Sequence, residues 1–283
     1  MPKKTFPEQQ QVPPGKEWDM NPKPIYDDPN KKGSGQLLKK TAIITGGDSG
    51  IGRAVAVAFA KEGADVVIAY LKANHDADET KQAVEGYGRR CVTVCADLRQ
   101  EASAMTVTDE ALTAFGKIDI LVNNIAVQYP QNSITDITAE QLEDTFRTNI
   151  FSYFYMTKAA LPHMQPGSTV INTASVTAYK GNAELIDYSS TKGAIVSFTR
   201  SLSISLLKNG IRVNAVAPGP VWTPLIPSSF SPQKISEFGS DVPVQYAAQP
   251  VQLAPAYVYL ASQNSSYVSG QVLHVNGGVI VDS

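Results

Sequence analysis

Two side chains that could exchange a proton lie four positions apart in the segment IDYSSTKGAIVSFTRSLSISL. If this segment is helical, Tyr188 and Lys192 lie on the same face, one turn from each other. A lysine ammonium beside a phenol favours the phenolate by charge, which would lower the Tyr188 pKa from its ordinary value of about 10. Such a pair is common on protein surfaces, so it identifies an active site only together with other residues. Ser175, thirteen residues before Tyr188, and Asn149 are further candidates.

A glycine-rich stretch, TGGDSGIG, occupies residues 45–52 between an apolar run and a helix-like segment. Backbone N–H groups at the start of a helix attract a pyrophosphate, and glycine lets it approach closely. Gly46, Gly50 and Gly52 give the spacing G-x-x-x-G-x-G, which differs from the G-x-G-x-x-G of other dinucleotide folds. Because such a stretch is often a plain turn, the interpretation depends on a strand before it and a helix after it.

Short apolar runs alternate with longer amphipathic segments after residue 38. The predicted strands are TAIIT, DVVIAY, CVTVC, DILVNN, STVINT, IRVNAV and QVLHVN, and the predicted helices cover residues 51–62, 77–87, 101–115, 139–163, 187–207 and 250–261. Parallel strands need crossover connections, and these are right-handed. The pattern therefore predicts an α/β fold with a doubly wound parallel seven-stranded sheet of the Rossmann type, in a single domain over residues 38–283.

Residues 1–37 are rich in proline, lysine and glutamine and show no helical or strand period. They cannot bury enough apolar surface to fold alone, so we predict an extended N-terminal arm. An extended arm of this length could reach on the order of 100 Å, far enough to lie across a neighbouring subunit. A disordered tail is the alternative, and Trp18, Ile25 and Tyr26 are the residues that favour docking.

Composition and charge favour a small-molecule partner and a cytoplasmic location. The 283 residues carry a net charge of −2, which gives no electrostatic footprint for nucleic acid or an anionic membrane. No apolar stretch approaches the ~18 residues of a membrane span, and the N-terminus lacks the apolar region of a signal peptide. Cys91 and Cys95, about 13 Å apart along a strand, are too distant for a disulfide and are expected as buried thiols. Three scattered histidines offer no metal ligand set.

Several motifs in order resemble the short-chain dehydrogenase/reductase family, from about Lys39 to the C-terminus. The family's T-G-x-x-x-G-I-G matches residues 45–52, its Asn-Asn-Ala-Gly corresponds to residues 123–126, its Y-x-x-x-K matches Tyr188 to Lys192, and its Pro-Gly matches Pro218 and Gly219. The proline-rich arm and phrases such as APGPVWTPLIPSSF resemble a subgroup of general stress or glucose/ribitol dehydrogenase-like proteins.

The resemblance implies an NAD(P)-dependent oxidoreductase that interconverts an alcohol and an aldehyde, ketone or sugar. Tyr188 would be the acid/base, Ser175 would bind the carbonyl oxygen, Lys192 would lower the Tyr188 pKa and hold the nicotinamide ribose, and Asn149 would anchor a water. The cofactor-binding residues implied are Gly46, Asp48, Ser49, Gly50, Ile51, Gly52, Tyr70, Leu71, Asp97, Leu98, Asn124, Ala126, Tyr188, Lys192, Pro218, Gly219, Val221 and Thr223.

Departures from the family pattern concern the cofactor site. Ile125 and Ala126 replace Ala-Gly, where backbone passes close to the cofactor. Tyr70 stands where NAD-specific members carry Asp, and Ser49 is not the basic residue of many NADP-specific members, although Lys72 could reach a phosphate. Binding of both NAD and NADP is therefore expected.

The resemblance further implies a homotetramer, through helices at 151–161 and 194–207 and through the C-terminal segment, and a substrate lid over residues 222–248. PLIPSSF, Trp222 and Phe238 suggest a mainly apolar lid, with simple packing of the lid as the alternative. Two alternatives to an active enzyme are a dinucleotide-binding sensor and a stress-associated interaction protein that acts through its arm. The set Asn149, Ser175, Tyr188 and Lys192 favours the enzyme.

Overall fold

A parallel sheet forms the centre of the protein in a computed structural model that describes residues 6–281. Within these residues the sheet has seven strands in the order β3-β2-β1-β4-β5-β6-β7. They are β1 Thr41–Thr45, β2 Asp65–Tyr70, β3 Cys91–Cys95, β4 Ile118–Asn123, β5 Met164–Thr173, β6 Arg212–Pro218 and β7 Val272–Val275. The strand order reverses at β1, which pairs with both β2 and β4. In such a sheet, ligands bind outside the carboxyl ends of the strands at this switch point.

Helices cover both faces of the sheet. They are α1 Gly50–Lys61, α2 Asn74–Gly86, α3 Glu101–Phe115, α4 Ala139–Phe146, α5 Ser152–Ala160, α6 Thr177–Lys180, α7 Ile186–Leu206, α8 Pro232–Ser236 and α9 Ala254–Ala261. Ile44 packs in a core with α1, α2 and α9, whereas its neighbour Ile43 packs with α3 and α5 on the opposite face. All five β1 residues are buried, as expected for a central strand covered twice. The predicted fold class is confirmed.

One local expectation is wrong. The segment predicted as a helix over 139–163 is helical throughout, but α4 passes through a π-helical turn at Arg147–Phe151 into α5, and a 3-10 turn at Leu161–His163 ends it. Cys91 is buried as expected, but Cys95 is exposed, because it ends the edge strand β3. Within residues 6–281, no helix combines the length and apolar character needed to cross a bilayer.

The described part of the arm packs on its own domain. Phe6 stacks on Trp222 with ring centroids 3.8 Å apart, and Phe6, Glu17 and Met20 are buried. Of the expected anchors, Tyr26 is half-buried, with the Arg53 guanidinium 5.2 Å from its ring centroid. Trp18 contacts the His75 ring although it is 39% exposed, whereas Ile25 is 55% exposed. Residues 1–5 of the predicted arm, and residues 282–283 of the predicted domain, lie outside the described residues.

Candidate active site

A cavity of about 730 Å³ runs along the carboxyl ends of the strands. Its wall includes every residue predicted above to bind cofactor or to act in catalysis except Gly52 and Asn149, which lie behind it. The topology therefore gathers residues from loops that are far apart in sequence. Residues 124–129, 173–177, 218–221 and 223–225 form one part of the wall, and residues 70–73 and 96–99 form the other end.

The glycine-rich loop lies between these two parts and has a conformation that favours glycine. Gly46 and Gly50 have φ values of +62° and +53°, which L side chains rarely adopt. A Cβ on Gly52 would lie 1.9 Å from the Gly46 carbonyl oxygen, so Gly52 lets α1 pack against the loop. Gly52 thus shapes the loop from behind the cavity. Burial raises the pKa of the half-buried Asp48 in this loop to about 6.

The arm binds the first turn of α1, which sequence reasoning did not anticipate. The Gly50 N–H donates to Glu17 Oε2 at 2.6 Å, and Arg53 Nη1 donates to Glu17 Oε1 at 2.8 Å. Arg53 is 1% exposed and also pairs with Asp76 and Glu79. Burial raises the pKa of Glu17 to about 7, although the charge of Arg53 opposes this. A single glutamate in an aperiodic arm gives no sequence signal for such a contact.

His75, Asp76 and Glu79 each bring one possible metal-ligand atom within 4.8 Å of the others. The Asp76 carboxylate already accepts hydrogen bonds from the backbone N–H groups of Glu17 and Trp18, at 2.8 and 3.1 Å. The two carboxylates of this group also balance the charge of the buried Arg53 described above. This cluster therefore has a structural explanation in the docking of the arm.

Tyr188, Ser175 and Lys192 lie together in the cavity wall. Tyr188 is in the first turn of α7, is 8% exposed, and lies close enough to the Ser175 side chain for Ser175 to oppose the rise of its pKa. The Ser175 hydroxyl oxygen in turn accepts from the backbone N–H and the hydroxyl of Thr177, at 3.1 and 3.0 Å. Lys192 Nζ lies 5.4 Å from the centroid of the Tyr188 ring and donates to the Thr173 carbonyl oxygen at 2.8 Å.

Burial moves the pKa values of Tyr188 and Lys192 in a direction that the sequence did not predict. Desolvation raises the pKa of Tyr188 to about 12, against the hydrogen bond with Ser175, and lowers the pKa of Lys192 to about 7. In the protein without cofactor the net shift of the Tyr188 pKa is therefore opposite to the predicted one, because burial dominates, and the lowering effect of Lys192 stays a prediction. A neutral phenol is the form that can give a proton to a substrate oxygen.

Asp187 fixes the start of α7 and was not singled out from the sequence. Its Oδ1 accepts from the Tyr188 backbone N–H at 2.8 Å, and its Oδ2 accepts from Thr145 Oγ1 at 2.9 Å and Gln141 Nε2 at 3.0 Å. Asp187 is 2% exposed, and its hydrogen bonds connect the α4 helix to the backbone of Tyr188. In the sequence, the feature that could have indicated this role is an acidic residue at the start of a predicted helix.

Asn149 lies behind the cavity and holds its wall. Its side chain accepts from the Val127 N–H at 2.8 Å and donates to the Val127 carbonyl at 2.9 Å and to Thr191 Oγ1 at 3.1 Å. These contacts connect the π-helical turn to the loop after β4 and to α7. Asn149 therefore holds the cavity wall in position, and its role in anchoring a water stays a prediction.

The loop after β4 accommodates its two unusual residues. A Cβ on Gly46 would lie 3.1 Å from Ile125 Cγ2, so the isoleucine packs against the glycine-rich loop. The Asn124 N–H donates to Thr45 Oγ1 at 2.8 Å and keeps this loop beside β1. Ala126 lines the cavity. The replacement of Ala-Gly by Ile-Ala is thus absorbed in the packing between two loops.

Gln128, in the same loop after β4, lines the cavity with a buried side-chain amide that lacks a hydrogen-bond partner for its nitrogen among the described residues. Gln128 is 5% exposed, and its side-chain amide nitrogen has no hydrogen-bond partner within residues 6–281. The backbone carbonyl oxygen of Gln128 accepts a 3.4 Å hydrogen bond from the Ser229 hydroxyl, in the segment predicted as a lid. Because buried amides normally find partners, Gln128 is a candidate for contact with a ligand.

The lid segment over residues 222–248 is more polar than expected. Phe230 and Phe238 pack beside an apolar cluster around Trp222. The cavity is nevertheless also lined by polar lid residues, namely Ser228, Ser229, Lys234, Glu237, Ser240 and Asp241. The lid therefore combines an apolar cluster with polar side chains that line the cavity, and is not mainly apolar as expected.

The other end of the cavity is charged. Tyr70, Leu71 and Lys72 line it where β2 ends. Arg99 Nη2 pairs with Asp97 Oδ2 at 2.7 Å, and Arg99 Nη1 pairs with Asp144 Oδ1 at 2.6 Å. The hydrogen bonds from Arg99 lower the pKa of Asp97 and keep that carboxylate ionised beside Lys72.

Comparison with known proteins agrees with this arrangement. A family model described as "Enoyl-(Acyl carrier protein) reductase" matches residues 46–280. "Uncharacterized oxidoreductase YhxC" of Bacillus subtilis is 60% identical over 99% of this chain and 98% of its own length. "Glucose and ribitol dehydrogenase" of Daucus carota is 52% identical over 98% and 97% of the two chains. "NADPH-dependent aldehyde reductase 1, chloroplastic" of Arabidopsis thaliana is 50% identical over 98% of each.

A solved structure is also similar. The short chain dehydrogenase from Burkholderia cenocepacia J2315, in complex with NADP, superimposes with a TM-score of 0.81. It is 29% identical, and the match covers 86% of this chain and 98% of that one. With the sheet order, the glycine-rich loop and the Tyr188–Lys192 pair, these matches show that the chain belongs to the short-chain dehydrogenase/reductase family.

Proposed function

We propose that this protein is an NAD(P)-dependent oxidoreductase that interconverts an alcohol and a carbonyl compound. The observation that carries the proposal is that Tyr188, Ser175 and Lys192 line the same cavity as the glycine-rich loop, with Lys192 Nζ 5.4 Å from the centroid of the Tyr188 ring. A sensor or an interaction protein would not need this acid, this hydroxyl and this lysine together in one cavity.

The chain's own residues fit a nicotinamide dinucleotide. The left-handed glycines at 46 and 50 leave the loop without side chains where the backbone N–H groups of α1 begin, which suits a diphosphate. Tyr70 and Leu71 would hold the adenosine end with Asp97 and Leu98, whereas Pro218, Gly219, Val221 and Thr223 would hold the nicotinamide end. A bound reduced dinucleotide would supply the hydride.

Tyr188 and Ser175 would act on the substrate oxygen. In reduction, the neutral Tyr188 phenol gives its proton to the carbonyl oxygen, and Ser175 donates a hydrogen bond to the same oxygen. In oxidation, the phenolate of Tyr188 takes the hydroxyl proton. Lys192 stabilises the phenolate when it is charged, and its bond to Thr173 fixes its place next to the ring.

The substrates are proposed as aldehydes, ketones or sugars with further oxygen atoms. The unpartnered Gln128 amide and the lid serines offer hydrogen bonds beyond those needed for the carbonyl itself. The names of the carrot and Arabidopsis relatives include a sugar and polyol activity and an aldehyde reductase activity. Both fit a cavity that is partly polar.

A cytoplasmic homotetramer, with residues 1–37 as an arm on a domain of residues 38–283, completes the proposal. Exposed apolar residues on the two helical segments named above support association: Phe151, Phe154, Ile204 and Leu207 are 41%, 46%, 78% and 54% exposed. Light scattering that shows a stable monomer at micromolar concentration would contradict the tetramer.

The function is tested by following the absorbance of reduced nicotinamide with a panel of aldehydes, ketones, sugars and polyols and with each dinucleotide. We expect turnover with at least one oxygen-rich carbonyl compound. Tight dinucleotide binding without turnover across the panel would instead favour the sensor. Loss of a protein partner, but not of turnover, on deletion of residues 1–37 would favour the interaction protein as a second role.

A further inference from the structure

The arm touches both walls of the cavity, and this gives it a place in the dinucleotide site. On the lid side, Phe6 stacks on Trp222, and the Gln11 N–H donates to the Pro227 carbonyl at 2.8 Å. Trp222 Nε1 donates to the Pro22 carbonyl, also at 2.8 Å, and Trp222 is fully buried. The lid therefore rests on the arm directly beside Thr223, at the nicotinamide end.

On the other side, the arm binds the glycine-rich loop through Glu17. This carboxylate takes the first backbone N–H of α1, at Gly50, and the guanidinium of Arg53, and it is 1% exposed. The Asp76 carboxylate binds the Glu17 and Trp18 backbone N–H groups and thereby fixes this turn of the arm from α2. Glu17→Gln replaces one of the two Glu17 acceptor oxygens by an NH₂ group, so a buried donor, the Gly50 N–H or Arg53 Nη1, loses its Glu17 acceptor, which is unfavourable.

Between these two anchors the arm itself forms cavity wall. Pro13, Pro14 and Gly15 line the cavity next to the glycine-rich loop and Thr223. The arm passes so close to the lid that a Cβ on Gly15 would lie 2.3 Å from the Pro224 carbonyl oxygen. At the same place a Cβ on Gly50 would lie 3.0 Å from Thr223, so loop and lid meet beneath the arm.

We propose that residues 6–26 are a clamp that joins the glycine-rich loop to the lid across the dinucleotide site, with Glu17 as the positioning residue that holds the arm on the glycine-rich loop. This proposal rests on the proposed function in one respect, that the ligand of the cavity is a nicotinamide dinucleotide. The clamp holds the two walls at the spacing that the ligand requires, so docking of the arm and binding of the dinucleotide stabilise each other. Such coupling is reciprocal by thermodynamic linkage.

The test compares Glu17→Gln with Asp19→Asn, which removes an exposed carboxylate from the same turn of the arm. Dinucleotide dissociation constants are measured by calorimetry with NAD and with NADP. We expect Glu17→Gln to raise both constants about tenfold, and Asp19→Asn to leave them within about twofold. An unchanged constant in a folded Glu17→Gln protein would overturn the clamp, whether or not the arm is loosened.

A second measurement needs no variant. Hydrogen exchange of the Gln11, Glu17 and Trp18 amides, which all donate to groups of the domain, is followed in the wild-type protein with and without NADP. Reciprocal coupling predicts that NADP slows their exchange about tenfold. Equal exchange with and without bound NADP would overturn the clamp.

The outcomes separate the clamp from the oxidoreductase activity. Dinucleotide binding that depends on Glu17, without any carbonyl turnover, would support the clamp and contradict the proposed function. Carbonyl turnover together with dinucleotide binding that does not depend on Glu17 would support the proposed function and contradict the clamp. A wild-type protein that binds neither NAD nor NADP would contradict both.

Discussion

The Lys192 ammonium lies 5.4 Å from the centroid of the Tyr188 ring, and both side chains are withdrawn from solvent. This burial raises the pKa of the phenol and lowers that of the amine. Both groups are therefore held nearer their neutral forms in the protein without cofactor. Tyr188 therefore keeps the proton that it would donate, and burial of the Lys192 amine lowers the stability of the fold.

Replacement of Lys192 by methionine should stabilise the protein while abolishing turnover. The Lys192 pKa falls from an ordinary 10.5 to about 7 on folding. Between these pH values the unfolded chain binds a proton that the folded protein does not, so stability rises with pH through this window. At pH 7 we expect Lys192→Met to raise the free energy of unfolding by on the order of 2 kcal/mol, and the gain should shrink towards pH 10.

Denaturant unfolding of the cofactor-free protein at several pH values measures this effect. Lys180→Met is the matched control, because Lys180 is exposed at the same cavity. A Lys192→Met gain that is absent at pH 7, or that does not change with pH, would argue against a costly buried lysine.

Docking of the arm should weaken as the pH rises. The Glu17 pKa is about 7 when the arm is docked, against an ordinary 4.5, so the docked arm binds the proton more tightly than the released arm. The resulting stabilisation is complete below pH 4.5 and is lost as the pH rises through 7. Arg53 and Asp76 contact Glu17, with Asp48 and Glu79 nearby, and of these only Arg53 favours the ionised form.

Trp222 fluorescence can report this docking, because the chain has two tryptophans and Trp18→Phe leaves only the one stacked on Phe6. We expect acrylamide to quench Trp222 more strongly at about pH 8 than at about pH 5.5. The same pH difference should disappear when Glu17→Gln is added. Persistence of the difference in the double variant would assign the pH dependence to another group.

Discrimination between NAD and NADP should be weak and should depend on Lys72. Tyr70 provides no carboxylate to repel a 2′-phosphate, and Lys72 is an exposed cation in the same part of the cavity wall. An exposed contact of this kind is worth about fivefold in affinity. We expect the two dissociation constants to lie within about tenfold, and Lys72→Ala to weaken NADP about fivefold while NAD serves as the internal control. A preference beyond about a hundredfold would mean that another residue recognises the 2′ position.

Gln128 should select oxygen-rich substrates. Its buried amide nitrogen has no partner in the described chain, so a substrate hydroxyl could satisfy it. For Gln128→Met we expect kcat/KM to fall about tenfold with a hydroxyaldehyde such as glyceraldehyde and to stay within about twofold with propanal. The ratio of the two values is the measurement, because a purely structural role would change both equally.

The sequence predicted those parts of the site that short motifs encode. The sheet and the place of the glycine-rich loop follow from local periodicity and from the order of parallel strands, whereas the resemblance to the family implied that Tyr188 and Ser175 act together. The contact between Glu17 and Gly50 could not be predicted, because it joins an aperiodic arm to a turn 33 residues away. The directions of the Tyr188 and Lys192 pKa shifts could not be predicted from the motif either, because the burial that causes them depends on how the whole fold packs around the pair.

The central claim, that Tyr188 is the proton donor and acceptor, is tested most directly with Tyr188→Phe. This variant removes one hydroxyl and keeps the ring beside Lys192. We expect turnover with the best carbonyl substrate to fall by roughly 10²–10⁴-fold, with the dinucleotide dissociation constant within about threefold of wild type. A variant that binds dinucleotide normally and keeps more than about a tenth of the wild-type rate would contradict the assignment.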